Sequence, residues 1–387
     1  MEDIKNSDKD QLKNPFPGLR PFRFGESHLF FGREHQVSNV IEQLLNKKFM
    51  AIVGASGVGK SSFMTCGVLS NLMKSTTYGE NWEVYVTTPG NDPLKNLAKS
   101  MLSGLNPESN DAMDSSVEIS QIEALAQSFK ETPESLQNFI RERNKEGKKR
   151  FLLFIDQFEE IFRFKTDKQA QESVRYLIDI ITNILQQDNE IYIVLSIRSD
   201  FIGDCARFPL LTAAINKSQY LIPELTREEK KRAIVGPVEY MGATISSDLV
   251  ETVLNDVGDS SDQLPIMQHA LMRTWDYWQN YRSMQEPVTL AEYNGIGGMA
   301  NALSEHAREA FRALKTDEKL ICERIFKAIT EKGEEGRGVR RPTALNEITQ
   351  IVDADKDKVI KVIDFFRSPG RSLLLPSSQV KLEDNSM

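Results

Sequence analysis

One run of eight residues, Gly54-Ala55-Ser56-Gly57-Val58-Gly59-Lys60-Ser61, constrains this chain more than any other stretch. It reads G-x-x-x-x-G-K-S, and its surroundings suit a phosphate-binding loop. Phe49 to Val53 is a short apolar run of the kind that forms a buried parallel strand, and Ser61 to Cys66 can open a helix. In such a loop Gly54 and Gly59 let backbone N–H groups turn inward around phosphate oxygens, at the positive end of the following helix. Ser56, Gly57, Val58 and Ser62 complete the cradle. Lys60 is placed to reach the β- and γ-phosphates, and the Ser61 hydroxyl to ligate Mg²⁺. A nucleoside di- or triphosphate is the expected ligand.

The second half of such a site follows a strand about a hundred residues on. Phe151-Leu152-Leu153-Phe154-Ile155 ends in Asp156, then Gln157-Phe158-Glu159-Glu160. An acid at the C-terminal edge of a buried strand can hold Mg²⁺ directly or through water. Glu159 and Glu160 are both candidates to polarise an attacking water, with Glu160 preferred. Ile191 to Ser196 predicts a further strand, after which Arg198 could sense a γ-phosphate or steady developing charge.

Other strands are expected at Trp82–Thr88 and Tyr220–Ile222, with amphipathic helices carrying Val37, Val40, Ile41, Leu44 and Leu45, and then Val174, Leu177, Ile181, Ile184 and Leu185. Strands alternating with helices imply a parallel sheet covered on both faces. Residues 1–13 read as a disordered lead, Asn14 to Phe22 as an extended strap, and 104–120 as an exposed insertion. Past Leu225 the signal is helical, with a capping pattern at Thr226 and a long helix over Leu264–Tyr281. The expected divisions are 1–30, 31–225, 226–310 and 311–387. Ser372 to Leu375 is expected to form a wing strand near the end.

A net charge of −8 and only three scattered cysteines accompany these motifs. There is no basic field to gather nucleic acid and no metal-type cysteine spacing. No apolar stretch approaches the roughly 20 residues a membrane span needs. A cytoplasmic protein with reduced thiols is the expectation.

Together the motifs resemble the STAND NTPases, signalling relatives of the AAA+ ATPases, in the form called novel STAND NTPases. The resemblance rests on Pro17 to Phe22, Phe31-Gly32-Arg33-Glu34, the phosphate loop, Pro89-Gly90-Asn91-Asp92-Pro93-Leu94, Asp156 to Glu160, Arg198 to Phe201 and Gln263 to Leu271. It implies an α/β P-loop NTPase core, an all-α lid and a winged-helix-like domain that closes on ADP. It also implies Gly32 and Arg33 near base and ribose, Pro265 against adenine, and slow ATP hydrolysis driving a signalling switch in bacterial regulation or defence against phage. A sensor or effector outside this chain, and a nucleotide-dependent oligomer, belong to the same expectation. The winged helix stops short of the histidine-bearing segment found in relatives, which predicts loose ADP retention. His269 and His306 read as structural. The alternatives are a winged-helix DNA-binding regulator, disfavoured by the near-balanced charge of 311–387, and a nucleotide-binding scaffold without turnover.

Overall fold

Continuous apolar strands need cover on both faces, and the sheet of this chain has it. In the computed structural model, strands β1 (Phe49–Gly54), β2 (Trp82–Thr87), β3 (Arg150–Ile155), β4 (Ile191–Arg198) and β5 (Gln219–Leu221) lie in the order β2-β3-β4-β1-β5. Every pairing is parallel. The structure describes residues 12–382 except 75–77, 79–80, 105–118, 146–148, 164–167, 188–189, 259–262, 283–284, 333–337, 342, 369, 377 and 379. The expected disordered lead and insertion therefore fall almost wholly outside the described residues.

Side chains divide between the faces with the strand period of two. Met50, Ile52, Leu152, Phe154 and Val194 pack with the Glu34–Lys47 helix and the helix that follows the phosphate loop. Ala51, Val53, Leu153, Ile155, Ile193 and Leu195 face the opposite layer, which includes helices Pro93–Ser103 and Lys168–Gln186. The helix after the phosphate loop is not uniform. Lys60–Ser62 is α-helical, Phe63–Leu69 is a π-helix and Ser70–Lys74 returns to α. At Gly67 a Cβ would come within 2.5 Å of Val37 Cγ2, so only glycine allows this close helix approach.

The chain divides into two compact units. One is Pro21–Gly242 with Gly258–Leu264 and holds the sheet. The other holds residues up to Arg20, Ala243–Val257 and everything from Pro265 on. Among the described residues the regular structure of the second unit is helical apart from a short hairpin and one isolated bridge, Ile245 to Val288. Its longest helix, Leu264–Tyr281, buries Trp275 and Trp278 almost completely. The strap docks on that helix: Asn14 Nδ2 donates to Met272 O at 2.9 Å and to Asp276 Oδ1 at 2.7 Å, and Phe16 is buried. Helix Gly298–Ala313 runs through the expected division at 310/311 without a break.

Toward the C-terminus, helices Thr316–Ala328, Leu345–Val352 and Lys356–Arg367 share one apolar core that includes Ile325, Ile348, Val362 and Phe366. The expected wing strand at Ser372–Leu375 is not there. The antiparallel hairpin pairs Thr330–Lys332 with Gly338–Arg340 instead. Leu373 donates its N–H back to Phe366 O at 2.9 Å, and Leu373 and Leu374 pack on the three-helix core. Leu373 and Leu374 gain more from that packing than from an unpartnered strand edge, while Leu375 stays exposed. Arg341, just after the hairpin, is paired with Glu347 at 2.5 Å.

Candidate functional site

Sheet order builds the site. β4 lies between the phosphate-loop strand β1 and the acid strand β3, with Gly54 in register with Arg198 and Ile155 with Leu195. The loop after β1, Asp156 after β3 and Arg198 at the end of β4 therefore emerge along one carboxyl edge of the sheet. Crevices at that edge are where ligands bind in open α/β sheets.

The loop has the conformation its glycines suggest. Gly57 has φ +80° and Gly59 φ +91°, both in the left-handed region. Val58 is buried beneath the loop, while Ala55 and Ser56 are exposed. A Cβ at Gly59 would meet nothing within 4 Å, so the space there is open. The Lys60 amine lies back over the loop and donates to Gly54 O and Ala55 O, each at 2.9 Å. Burial lowers its pKa, against the pull of the Glu159 and Asp156 carboxylates, which raise it. Ser62 Oγ accepts the N–H of Phe22 at 3.1 Å, a link to the strap that sequence reasoning missed. The Ser61 hydroxyl takes no hydrogen bond among the described residues.

Asp156 Oδ1 accepts from Gln157 N–H at 2.9 Å, and no hydrogen bond reaches its other oxygen among the described residues. Ser61 and Asp156 thus offer hard oxygens suited to Mg²⁺. No three His, Cys, Asp or Glu gather into a metal site among the described residues, so a magnesium ion here would draw its other ligands from water and phosphate. Arg198 is held by Asp200 in a fork, Nε to Oδ1 at 3.1 Å and Nη2 to Oδ2 at 2.7 Å.

Arg33 supports the loop, and Gly32 beside it lies against a neighbouring helix. The Arg33 side chain is buried, and its guanidinium donates to Pro223 O at 2.6 Å and Val58 O at 3.3 Å. Burial lowers its pKa; Glu229 and Tyr220 oppose the shift. Gly32 has φ +91°, and a Cβ there would lie 2.5 Å from Glu229 O in the Arg227–Tyr240 helix. Gly32→Ala should therefore cost about 2–4 kcal/mol, from the left-handed backbone and the clash together. A urea midpoint that barely moves would show that this close approach is dispensable. Pro265 lies at the second position of the Leu264–Tyr281 helix, in the other unit.

The sequence matches the Novel STAND NTPase 1 family over residues 15–383. The chain belongs to that family. This STAND protein is a P-loop NTPase by its family and by the architecture just described. No curated protein sequence matches it. Among solved structures it is similar to Aeropyrum pernix ORC1 in complex with DNA, at 13% identity over 87% of this chain and 83% of that one, TM-score 0.47. Aeropyrum pernix ORC2, in ADPNP-ADP complexes, is similar at 14% identity over 76% and 73%, TM-score 0.49. A mutant of Thermotoga maritima RuvB is similar at 15% identity over 90% of each chain, TM-score 0.38. No helix among the described residues is long and apolar enough to cross a membrane.

Proposed function

We propose that this STAND NTPase is a nucleotide-driven switch that binds adenine nucleotide with Mg²⁺ and hydrolyses ATP slowly. The observation that carries the reading is the gathering of the phosphate loop, Asp156 and Arg198 on one sheet edge, with β4 between the two halves. The N–H groups around Gly57 and Gly59 would receive phosphate oxygens, and Lys60 would leave its carbonyl partners to meet the β- and γ-phosphates. Ser61 and Asp156 would hold Mg²⁺, which when bound neutralises charge on the phosphates. An acid from the Glu159-Glu160 pair would polarise water, and Arg198 would counter negative charge if released from Asp200.

Arg33 fixes the loop's Val58 carbonyl, so it acts on the nucleotide through loop shape as well as through any contact with base or ribose. Pro265 is proposed to pack near adenine, with the helical lid and the winged-helix-like C-terminal part responding to the nucleotide state. A regulatory or phage-defence pathway, with a sensor or effector beyond this chain, is the setting these features suit. The energetic requirement is differential contact: ATP and ADP must bind two arrangements of the chain unequally.

The test is calorimetry of ATP, ADP and GTP with and without Mg²⁺, alongside ATP turnover and limited proteolysis in each state. Adenine-selective, Mg²⁺-dependent binding with different cleavage patterns for ATP and ADP is expected. Equal patterns with saturating nucleotide would remove the switch.

A further inference from the structure

The two adjacent glutamates face opposite directions along the sheet edge. Glu159 is 5% exposed, and its Oε2 accepts the backbone N–H of Arg198 at 3.2 Å. Arg198 ends β4, the strand between β3 and the phosphate-loop strand, so Glu159 reaches toward the loop. The carboxylates acting on the Lys60 amine are Glu159, then Asp156, then Asp200. Glu160 reaches the other way. Its Oε2 accepts the N–H of Gly90 at 2.9 Å, in the turn that follows β2 on the far side of β3.

That turn, Pro89-Gly90-Asn91-Asp92-Pro93, is the sequence motif for which the proposed function supplies no task. Its conformation is tightly determined. Gly90 has φ +53°, and a Cβ there would lie 2.6 Å from Asn96 Nδ2. Asn96 Nδ2 donates to Thr88 O at 3.2 Å and to Pro89 O at 2.9 Å. Asp92 caps the Pro93–Ser103 helix through the N–H of Lys95. These contacts fix the turn locally; Glu160 attaches it to the end of β3. A carboxylate accepting a backbone N–H makes one of the stronger hydrogen bonds available.

We infer that Glu159 is the acid that faces the nucleotide's phosphates, and that Glu160 is a positioning residue latching the Pro89–Pro93 turn to the acid strand. This reverses the preference for Glu160 drawn from sequence alone and rests on the proposed ATP hydrolysis. The two glutamates sit in one short 3-10 helix, Phe158–Arg163, so anchoring Glu160 on one side steadies Glu159 on the other. The chain thereby couples the β2 turn to the placement of the hydrolytic acid.

Base and latch make different demands on the side chain, and glutamine separates them. A general base needs a carboxylate, whereas accepting one N–H needs only a carbonyl oxygen, which glutamine keeps. Glu159→Gln should lower kcat by ~10²-fold or more with ATP affinity within about threefold of wild type. Glu160→Ala should lower kcat by roughly tenfold with little change in KM, and should speed amide exchange across residues 89–97. Glu160→Gln should restore both. The inference is overturned if Glu160→Gln loses turnover as deeply as Glu159→Gln while exchange across the turn stays at the wild-type rate. It is equally overturned if Glu160→Ala leaves that exchange unchanged. Should the wild-type chain bind nucleotide yet show no turnover, hydrolysis itself is excluded; the latch then stands or falls on the exchange comparison of the alanine and glutamine variants.

Discussion

Lys60→Ala should remove nucleotide binding, with ATP and ADP affinities falling by ~10³-fold or more. Two terms add. The first is loss of the charge-assisted contacts of the ammonium with phosphate oxygens, each on the order of 1.5–3 kcal/mol. The second comes from the site's own charges. Glu159 and Asp156 both act on the Lys60 amine, so Lys60 balances acids that would otherwise confront an incoming polyphosphate unopposed. Deleting the cation thus turns a neutralised edge into a repulsive one. The fold should tolerate the change. Among the described residues the hydrogen bonds of the amine go to the carbonyls of Gly54 and Ala55, in a half-exposed loop. Calorimetry beside a thermal melt is the measurement: unchanged affinity for both nucleotides would refute the site, and a collapsed melt would show that Lys60 is structural. Lys60→Arg keeps the charge but replaces a compact ammonium with a planar fork, and should recover only part of the affinity.

Much of the sheet was legible because its strands are buried on both faces. Phe49–Val53, Phe151–Ile155 and Ile191–Leu195 are continuous apolar runs, and short runs of that kind suit strands covered on both faces. The phosphate loop was legible because glycines, a lysine and a serine at fixed spacing match a mechanical requirement. Strand order was not, since β5 is only three residues long and nothing in sequence places β4 between β1 and β3. That placement decides which glutamate faces the loop: the difference between Glu159 and Glu160 is a direction set by neighbouring strands. The π-helix at Phe63–Leu69 also left no periodic mark, because its side chains are almost all buried. The hairpin lay hidden for a different cause. Its strands are three residues each, too short for an alternation to stand out, whereas the apolar run at Leu373–Leu375 supplies Leu373 and Leu374 to packing and leaves Leu375 exposed.

The histidines read from sequence as structural turn out to be paired, and the pair should make the helical unit sensitive to acid. His269, on Leu264–Tyr281, is fully buried, and His306, on Gly298–Ala313, is 6% exposed. Their rings meet through His269 Nε2 and His306 Nδ1 at 2.9 Å. One turn along, Arg273 clamps Glu309 with hydrogen bonds of 2.8 and 2.6 Å, so the helices are fastened twice. Burial holds the pKa of His269 down at about 4, with Arg273 adding to the effect. Burial likewise holds His306 at about 3, helped by Arg273, His269 and Arg371. Both folded pKa values lie below the unfolded value, so the unfolded chain takes up protons that the folded chain refuses. Stability is therefore full above pH 6.5 and falls as the pH drops toward 4, flattening only once the folded rings titrate. Between pH 7 and 5 each histidine should cost about 2 kcal/mol, or about 4 kcal/mol for the pair. Urea unfolding of the whole chain, followed by tryptophan fluorescence, reads this directly, since Trp275 and Trp278 lie on the same helix as His269. His306→Asn removes one titrating ring and should roughly halve the loss across that interval, although its stability at pH 7 will be lower. An acid loss in His306→Asn equal to that of the wild-type chain would mean that other groups drive it, and that the pair is fastened too loosely to exclude a proton.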